Sequence, residues 1–320
     1  MTTPPSAVYS IGMRTRFRGL TRREGALVHG AAGWGEFSPF WDYDDRASRP
    51  WWQAAIEAAE VGWPEPVRHR IEVNVTVPAL DPQAAAQVVA DSQGCRTAKV
   101  KVAEPGQTVT QEQDRLAAVR EALGPQGKIR IDANGAWDTD TALARLALLD
   151  RAAGGLEYVE QPCATVAELA QVRRRQHVPV AADESIRRAE DPMAVARAQA
   201  ADVVVLKVQP LGGVRAALQI AEDIGLPVVV SSALETSIGI RAGLALAAAL
   251  PQLPYACGLA TVHLLSEDVV ADPLLPRDGA IELRDVRPDP EALAGCLADE
   301  ATTQRWRGRA AAAAQPAVAR

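Results

Sequence analysis

Lysine is rare in this chain, and three of its four lysines stand where an amine could take part in chemistry. The 34 basic residues include four lysines, Lys99, Lys101, Lys128 and Lys207, and all the others are arginine. An arginine stays protonated at neutral pH, whereas a lysine can be tuned to act as a base. Lys99 and Lys101 end the apolar segment TAKVKV and Lys207 ends DVVVLKV, while Lys128 begins KIRIDAN and is predicted to be solvated.

Lys99 and Lys101 are separated by one residue, so a β-strand would direct both side chains to the same face. This spacing suits an inward-facing pair of amines in an active site. The alternative is a pair of exposed lysines on an edge strand, since strand ends commonly carry such residues.

Three carboxylates follow the same pattern, because Asp132, Glu160 and Asp183 each end a different apolar segment. Carboxylates gathered in one pocket repel one another, and a hard divalent cation with oxygen ligands relieves that repulsion. The sequence therefore predicts one Mg²⁺ site, with Mn²⁺ as an acceptable substitute. A single Asp at a strand end more often caps a helix or pairs with an arginine, so this prediction depends on the three residues together.

A lysine beside such a metal is suited to removing a weakly acidic proton. Neighbouring cations disfavour the ammonium form and lower the pKa of the lysine toward neutrality. The neutral amine can take a proton alpha to a carboxylate, provided that the resulting enediolate is stabilised, and a metal does this as a Lewis acid. These residues predict an enzyme that acts on a small carboxylate.

The elements that would position these residues form a regular pattern from about residue 71. Short β-branched segments alternate with Ala- and Leu-rich segments of helical period, which is typical of parallel βα units. The pattern predicts an α/β fold of the TIM type, a modified β/α barrel whose active site lies at the carboxyl ends of the strands. The eight predicted strands begin at Ile71, Thr97, Lys128, Leu156, Pro179, Asp202, Pro227 and Tyr255.

The spacing of the chemical residues agrees with that fold. Successive gaps are 23 to 31 residues, about one βα unit, so the side chains are predicted to converge on one mouth of the barrel. The residues in this series are Lys101, Asp132, Glu160, Asp183, Lys207 and Ser231.

The two ends of the chain depart from this pattern. Residues 1–70 are predicted to form a smaller α+β capping domain with strands AVYSIGM and GALVHG and a helix WWQAAIEAAEVG, and residues 71–265 form the catalytic barrel. Residues 266–320 are predicted to return to the capping domain through a strand at AIELRD. The low-complexity stretch from Arg307 predicts a disordered tail.

Taken in order, the motifs resemble the enolase superfamily, and more narrowly its muconate-lactonizing subgroup. Enzymes of that superfamily use a Lys or His base with Mg²⁺ and an enediolate, so this part of the chemistry comes from the family. The resemblance covers nearly the whole chain. Its motifs are G-W-G-E from Gly33, K-x-K from Lys99, D-A-N from Asp132, E-Q-P from Glu160, D-E-S from Asp183, and Lys207.

The resemblance implies a role for each of these residues. Asp132, Glu160 and Asp183 would bind Mg²⁺, Lys101 would be the base with Lys99 as its electrostatic support, and Lys207 would face Lys101 across the substrate ring. The family's mobile specificity loop would lie near Met13 to Thr21. The implied substrate contacts are Arg130, Asn134, Ser231, Ser232 and the backbone near Gly258.

Within the subgroup, the S-S-A-L-E-T-S-I-G segment from Ser231 and the position of Arg130 resemble the members that act in menaquinone biosynthesis. Those enzymes remove water from 2-succinyl-6-hydroxy-2,4-cyclohexadiene-1-carboxylate. The implied reaction is a syn elimination in which Lys101 takes the proton alpha to the carboxylate and returns it to the departing hydroxyl. Lys207 would act as a cation near the ring.

The composition limits which binding partners and which cellular compartment can be expected for this chain. The chain is 48% hydrophobic and 23% charged with a formal net charge of −6, and it has no basic block of the kind that binds nucleic acid. The four cysteines lie far apart, which predicts reduced thiols in a cytoplasmic protein, and no apolar segment is long enough to span a membrane. The sequence leaves the oligomeric state open and is compatible with a monomer.

Three other functions remain open at this point. A racemase or epimerase, including one for N-succinylamino acids, or a cycloisomerase of the same superfamily would use the same metal, and a racemase needs Lys101 and Lys207 as opposed acid and base. The segment GLATVHLLSED lacks the D-x-D by which dipeptide epimerases bind the substrate ammonium. A noncatalytic barrel would be expected to have lost one of the five positions, and a lyase with a Schiff base on Lys207 gives the three carboxylates no purpose.

Overall fold

The chain begins with a three-stranded antiparallel sheet. The computed structural model describes residues 4–17, 19–189 and 191–315. The first two strands are longer than predicted, because the Arg-rich stretch between AVYSIGM and GALVHG belongs to the hairpin itself. Arg14 and Arg16 are exposed there while Phe17 is buried, which is how a strand accommodates both residue types. The strands, in sheet order, are β1 (Ala7–Phe17), β2 (Leu20–Gly30) and β3 (Gly33–Phe37).

A helix packs against this sheet. Helix α1 (Asp45–Ile56) begins after Asp44, whose carboxylate accepts a hydrogen bond from the backbone N–H of Ala47 at 2.7 Å, and it continues as a π-helical turn. It therefore starts before the predicted segment, which began at Trp51. Gly35 of β3 permits the close approach of α1, since a Cβ atom there would lie 2.0 Å from the carbonyl oxygen of Ala55.

Seven parallel strands follow, and their order in the sheet is their order along the chain. The predicted first strand is divided, because its first part, β4 (Arg70–Glu72), pairs antiparallel with β12 (Ala280–Glu282). The parallel strands are β5 (Val75–Val77), β6 (Thr97–Lys101), β7 (Lys128–Asp132), β8 (Tyr158–Glu160), β9 (Val180–Ala182), β10 (Val203–Leu206) and β11 (Val228–Val230).

The predicted eighth strand, from Tyr255, closes the ring through single β-bridges instead of a full ladder. Cys257 forms a parallel bridge to Val73, and Gly258 forms one to Ser231. The backbone N–H of Cys257 donates to Glu72 O at 2.7 Å, and that of Gly258 donates to Val230 O at 2.8 Å. The segment therefore joins both edges of the seven-stranded sheet and completes the barrel.

Helices follow most of the strands, and several begin at the residue types that favour helix starts. Thr108 and Thr165 each form a reciprocal capping box with the Gln or Glu three positions later. Helix α9 is buried nearly all round, as its small and apolar sequence, interrupted by Arg241, requires. The helices are α2 (Pro82–Ala90), α3 (Val109–Leu123), α4 (Thr139–Ala153), α5 (Val166–Arg175), α6 (Glu184–Arg187), α7 (Ala194–Arg197), α8 (Val214–Ile224), α9 (Ser237–Ala249), α10 (Pro290–Cys296) and α11 (Glu300–Ala313).

The C-terminal segment differs from the prediction in two ways. Its strand β12 pairs with β4 at the start of the barrel, while α10 and α11 are the parts that pack on the N-terminal sheet and on α1. The stretch from Arg307, predicted to be disordered, is helical as far as Ala313, and residues 316–320 of that prediction lie outside the described residues. Alanine has the highest helix propensity, and Trp306 is fully buried, so the run forms a docked helix.

Within residues 4–17, 19–189 and 191–315, no helix combines the length and the apolar character that crossing a membrane requires. The proposed domain boundaries after residues 70 and 265 stay predictions. The order of elements along the chain is compatible with them.

Candidate active site

Lys99 and Lys101 lie side by side on an interior strand of the barrel. Strand β6 pairs with β5 on one side and with β7 on the other, so the edge-strand alternative is wrong. Both lysines are buried, and the ammonium group of Lys99 lies 2.8 Å from Glu160 Oε1 and 3.3 Å from Asp132 Oδ2. Lys99 therefore connects the carboxylates at the ends of two neighbouring strands.

Lys101 lies at the end of β6, directly beside Asp132 at the end of β7. Its Nζ is 2.5 Å from Asp132 Oδ2 and also donates to the side-chain oxygen of Asn134. Asn134 has a left-handed backbone with φ of 47°, and its N–H donates to Asp132 Oδ1 at 3.0 Å. The backbone of Asn134 thus holds one oxygen of Asp132 and Lys101 holds the other, while the side chain of Asn134 fixes the amine of Lys101.

Lys207 follows β10, on the other side of the site. Its Nζ lies 2.6 Å from Asp183 Oδ2, while Nε of Arg187 lies 2.9 Å from Asp183 Oδ1. Sequence reasoning did not identify Arg187, although its position four residues after Asp183 on α6 is the spacing that brings two side chains together on a helix. Arg187 also donates to the hydroxyl of Tyr43, which precedes α1.

The buried charged groups strongly shift one another's pKa values. Burial acts to raise the pKa of Asp132, but the ammonium groups of Lys101 and Lys99 hold it well below its usual range. The pKa of Glu160 is raised to about 7. Burial is the largest cause and the negative charge of Asp132 is the second, while the ammonium group of Lys99 opposes the rise. Burial lowers the pKa of Lys207, and the carboxylate of Asp183 opposes that change.

The three carboxylates fit a divalent cation by their chemistry. They are fully buried oxygen donors at the ends of adjacent strands, and their mutual repulsion contributes to the raised pKa of Glu160. Over the described ranges, no three His, Cys, Asp or Glu side chains converge closely enough to form a ready-made metal cluster. The carboxylate oxygens are engaged by lysine and arginine instead, so an incoming cation would compete with ammonium groups for the same ligands.

The predicted serines join the lysines at one pocket. Ser231 and Ser232 follow β11, and the hydroxyl of Ser232 is hydrogen-bonded to that of Thr261. Gly258 lies directly behind Ser231, since a Cβ atom at Gly258 would be 2.5 Å from Ser231 Oγ. The pocket is lined by Phe17, Phe40, Thr76, Lys99, Lys101, Asp132, Asn134, Lys207, Ser231, Ser232, Ala233, Leu234 and Thr261.

Arg130 is not among the residues that line this pocket, and its predicted role as a substrate contact stays a prediction. Its guanidinium donates to Glu157 Oε2 at 2.6 Å and to Ala256 O at 2.7 Å, and it lies over the ring of Tyr158. Arg130 is fully buried two residues before the end of β7, in register with Lys99 on β6.

The N-terminal region contributes aromatic residues that sequence reasoning did not name. The predicted mobile loop near Met13 to Thr21 is largely part of the β1–β2 hairpin, and Arg18 lies outside the described residues. The ring of Phe17 lies 5.4 Å from Lys101 Nζ, and Phe40 lines the same pocket. The signal available for Phe17 was its position in the family's specificity loop.

Comparison with known proteins agrees with this geometry. The family described as Enolase C-terminal domain-like matches residues 82–288, and the one described as Enolase N-terminal domain-like matches residues 8–59. The chain belongs to the enolase superfamily. The predicted resemblance and the predicted fold class, a barrel with a smaller capping domain, are both confirmed.

Named members of the enolase superfamily are similar over almost the full chain. An o-succinylbenzoate synthase of Thermobifida fusca is 64% identical over 305 residues, which cover 95% of this chain and 94% of that protein. One of Mycobacterium ulcerans is 55% identical over 300 residues, covering 93% and 90%. The crystal structure of a muconate lactonizing enzyme from Pseudomonas fluorescens has a TM-score of 0.78 at 24% identity, covering 91% and 97%, and shows the shared fold.

Proposed function

We propose that this chain is an o-succinylbenzoate synthase, a hydro-lyase that converts 2-succinyl-6-hydroxy-2,4-cyclohexadiene-1-carboxylate to o-succinylbenzoate in menaquinone biosynthesis. The observation that carries the proposal is the pair of buried lysines, Lys101 and Lys207, which line one pocket from separate strands together with Asp132. Relatives that are 53 to 64% identical over more than nine-tenths of the chain carry that name.

Lys101 is the proposed base. Its contacts with Asp132 and Asn134 fix the amine at the pocket wall, so the neutral form presents its lone pair to the carbon alpha to the substrate carboxylate. The C–H electron pair becomes a ring double bond as the C–O bond breaks, and Lys101 returns its proton to the departing hydroxyl, so that water leaves. Acid and base are the same group, which makes the elimination syn.

The other groups bind and orient the substrate. Lys207, held by Asp183, is the proposed source of positive charge near the developing aromatic ring, and Ser231 and Ser232, which line the pocket, are the proposed partners of the succinyl carboxylate. Enzymes of the superfamily generally use Mg²⁺, and bound here it would supply Lewis-acid stabilisation of the charge that develops on the substrate carboxylate. Asp132, Glu160 and Asp183 are its proposed ligands, and Mn²⁺ is a proposed substitute.

The test is conversion of the cyclohexadiene acid, followed by ultraviolet absorbance with and without added Mg²⁺. Metal-dependent turnover that disappears in Lys101→Ala supports the proposal. Lys128→Ala is the matched control, because that lysine is exposed at the other end of a strand, and it should keep wild-type activity. A metal-loaded wild-type protein without turnover would contradict the proposal.

A second candidate is racemization of N-succinylamino acids, which the positions of Lys101 and Lys207 in one pocket also favour. Such a racemase needs each lysine to exchange a proton with the same carbon. Deuterium entering both enantiomers of an N-succinylamino acid from heavy water would support this activity. The absence of exchange alongside rapid dehydration would exclude it.

We further propose that the protein acts in the cytoplasm on this small carboxylate, without a nucleic-acid or membrane partner. Its formal net charge of −6 and the absence of a basic block in the sequence support the first exclusion. Its oligomeric state is open, and a monomer is compatible with a pocket lined by one chain. Size-exclusion chromatography with light scattering measures it directly.

A further inference from the structure

The loop from Ser231 to Thr236, here called the 231–236 loop, forms one wall of the pocket and is also held by two residues of the N-terminal sheet. Four of its residues line the pocket, namely Ser231, Ser232, Ala233 and Leu234. Leu234 has a φ of 63°, a left-handed conformation that a branched side chain rarely adopts. A residue in this conformation persists when its surroundings impose it.

The first restraint on the loop comes from a buried arginine on β2, in the N-terminal sheet. Nε of Arg23 donates to Leu234 O at 3.0 Å, and one terminal nitrogen donates to Ala233 O at 3.1 Å. The other terminal nitrogen donates to Glu24 O at 2.9 Å, and the guanidinium lies over the ring of Phe40 at 4.6 Å. The fork of Arg23 therefore fixes two consecutive carbonyl groups at the strained part of the loop.

The second restraint is Glu36 of β3, at the other end of the loop. Its Oε2 accepts hydrogen bonds from the backbone N–H groups of Thr236 and Gly239, each at 3.1 Å, and from the hydroxyl of Thr236. Its Oε1 accepts from the hydroxyls of Tyr9 at 2.8 Å and Ser38 at 2.7 Å. Glu36 thus ties the start of α9 to the N-terminal sheet.

Neither residue lines the pocket, yet both act on the same segment from outside it. We propose that Arg23 and Glu36 are positioning residues that set the conformation of the 231–236 loop and thereby the binding of the substrate's succinyl group. This inference rests on the proposed function for the identity of the substrate. The buried arginine and glutamate of the capping region would then determine affinity through backbone contacts, without touching the substrate.

The test compares Arg23→Lys and Glu36→Gln with a matched control, Arg120→Lys. Arg120 likewise donates to backbone carbonyls, those of Gly124 and Gly127 in the loop that precedes β7 and that of Ala153 at the end of α4, away from the pocket. We expect KM for the cyclohexadiene acid to rise about tenfold in the two test variants, with kcat changed less than about threefold. KM should stay at the wild-type value in Arg120→Lys, and Mg²⁺ affinity by calorimetry should be unchanged in all three.

A second measurement tests the loop restraint without depending on enzyme turnover. Hydrogen–deuterium exchange of the peptide covering residues 231–239 should be faster in Arg23→Lys and Glu36→Gln than in the wild type and in Arg120→Lys. If Arg23→Lys does not fold, Tyr9→Phe removes one hydrogen bond from Glu36 without removing a charge, and should give a smaller rise in KM and in exchange at 231–239.

The outcomes separate this inference from the proposed function. A wild-type protein that does not turn over the acid refutes the proposed function, while the exchange experiment still tests the loop restraint. Normal wild-type turnover, with an unchanged KM and unchanged exchange at 231–239 in the folded variants, overturns the inference. A lowered melting temperature with neither effect would assign Arg23 and Glu36 a purely structural role.

Discussion

Glu235 should make the protein less stable as the pH rises through neutrality. Its carboxyl group is buried between the N-terminal sheet and α9, and one oxygen accepts from the backbone N–H of Ala233 at 2.6 Å. Burial, followed by the charge of Glu36, raises the pKa of Glu235 from 4.5 to about 7. Between these two values the folded state holds a proton that the unfolded state has released, so the free energy of unfolding falls as pH increases.

The size of the change in the free energy of unfolding follows from the pKa shift of Glu235. A difference of 2.5 units between the folded and unfolded pKa values corresponds to about 3 kcal/mol lost between pH 4 and pH 8. Glu235→Gln keeps an oxygen acceptor for Ala233 and removes the titration. We therefore expect the variant to gain up to about 3 kcal/mol over the wild type at pH 8 and little at pH 4.

The assay is urea unfolding of both proteins at a series of pH values, with the difference in free energy plotted against pH. Glu222→Gln makes the same substitution at an exposed position on α8 and serves as the control. This control measures how much of the difference comes from exchanging a Glu for a Gln on the surface. A difference between Glu235→Gln and the wild type that stays constant from pH 4 to pH 8 would refute the reasoning.

Three further predictions test the site and the fold. Lys207→Arg should retain part of the dehydration activity, because the role proposed for Lys207 requires only positive charge; complete loss in steady-state assays would count against it. Gly258→Ala should raise KM and destabilise the protein by about 1–3 kcal/mol, since the added methyl would lie 2.5 Å from Ser231 Oγ, and an unchanged KM and melting temperature would contradict this contact. Trp306→Ala should lower stability by about 3–5 kcal/mol, as measured by urea unfolding, because this side chain is fully buried directly before the stretch that had been predicted to be disordered.

The chemistry of the barrel could be predicted from sequence because strand ends in a parallel barrel meet in a fixed order. Lys101, Asp132 and Glu160 end three successive strands, and the register places Lys101 beside Asp132 and Asp132 beside Glu160. Spacing of one βα unit was therefore enough to bring them together. The substrate contact expected of Arg130 stays a prediction, because its guanidinium bonds to Glu157 and to the carbonyl of Ala256.

Other features were not accessible because they depend on contacts between distant segments. Arg23 donates a hydrogen bond to a carbonyl 211 residues away, and no periodic pattern in the sequence indicates such a pair. The eighth barrel segment has the composition of a strand, but single bridges on both sides replace its ladder. The Ala-rich end of the chain is ambiguous in composition, and the burial of Trp306 against the N-terminal sheet decides in favour of a helix.

Residues of the N-terminal region contact three different parts of the proposed active site. Phe17 lies over the proposed base, Arg23 holds the 231–236 loop, and Tyr43 contacts Arg187, which holds the proposed metal ligand Asp183. Each contact runs from the N-terminal region to a different side of the pocket. Docking of that region therefore constrains base, substrate loop and metal ligand together. Substituting one of these cap residues should change the side of the pocket that it contacts, so Arg23→Lys should affect the 231–236 loop and leave the proposed metal ligand Asp183 in place.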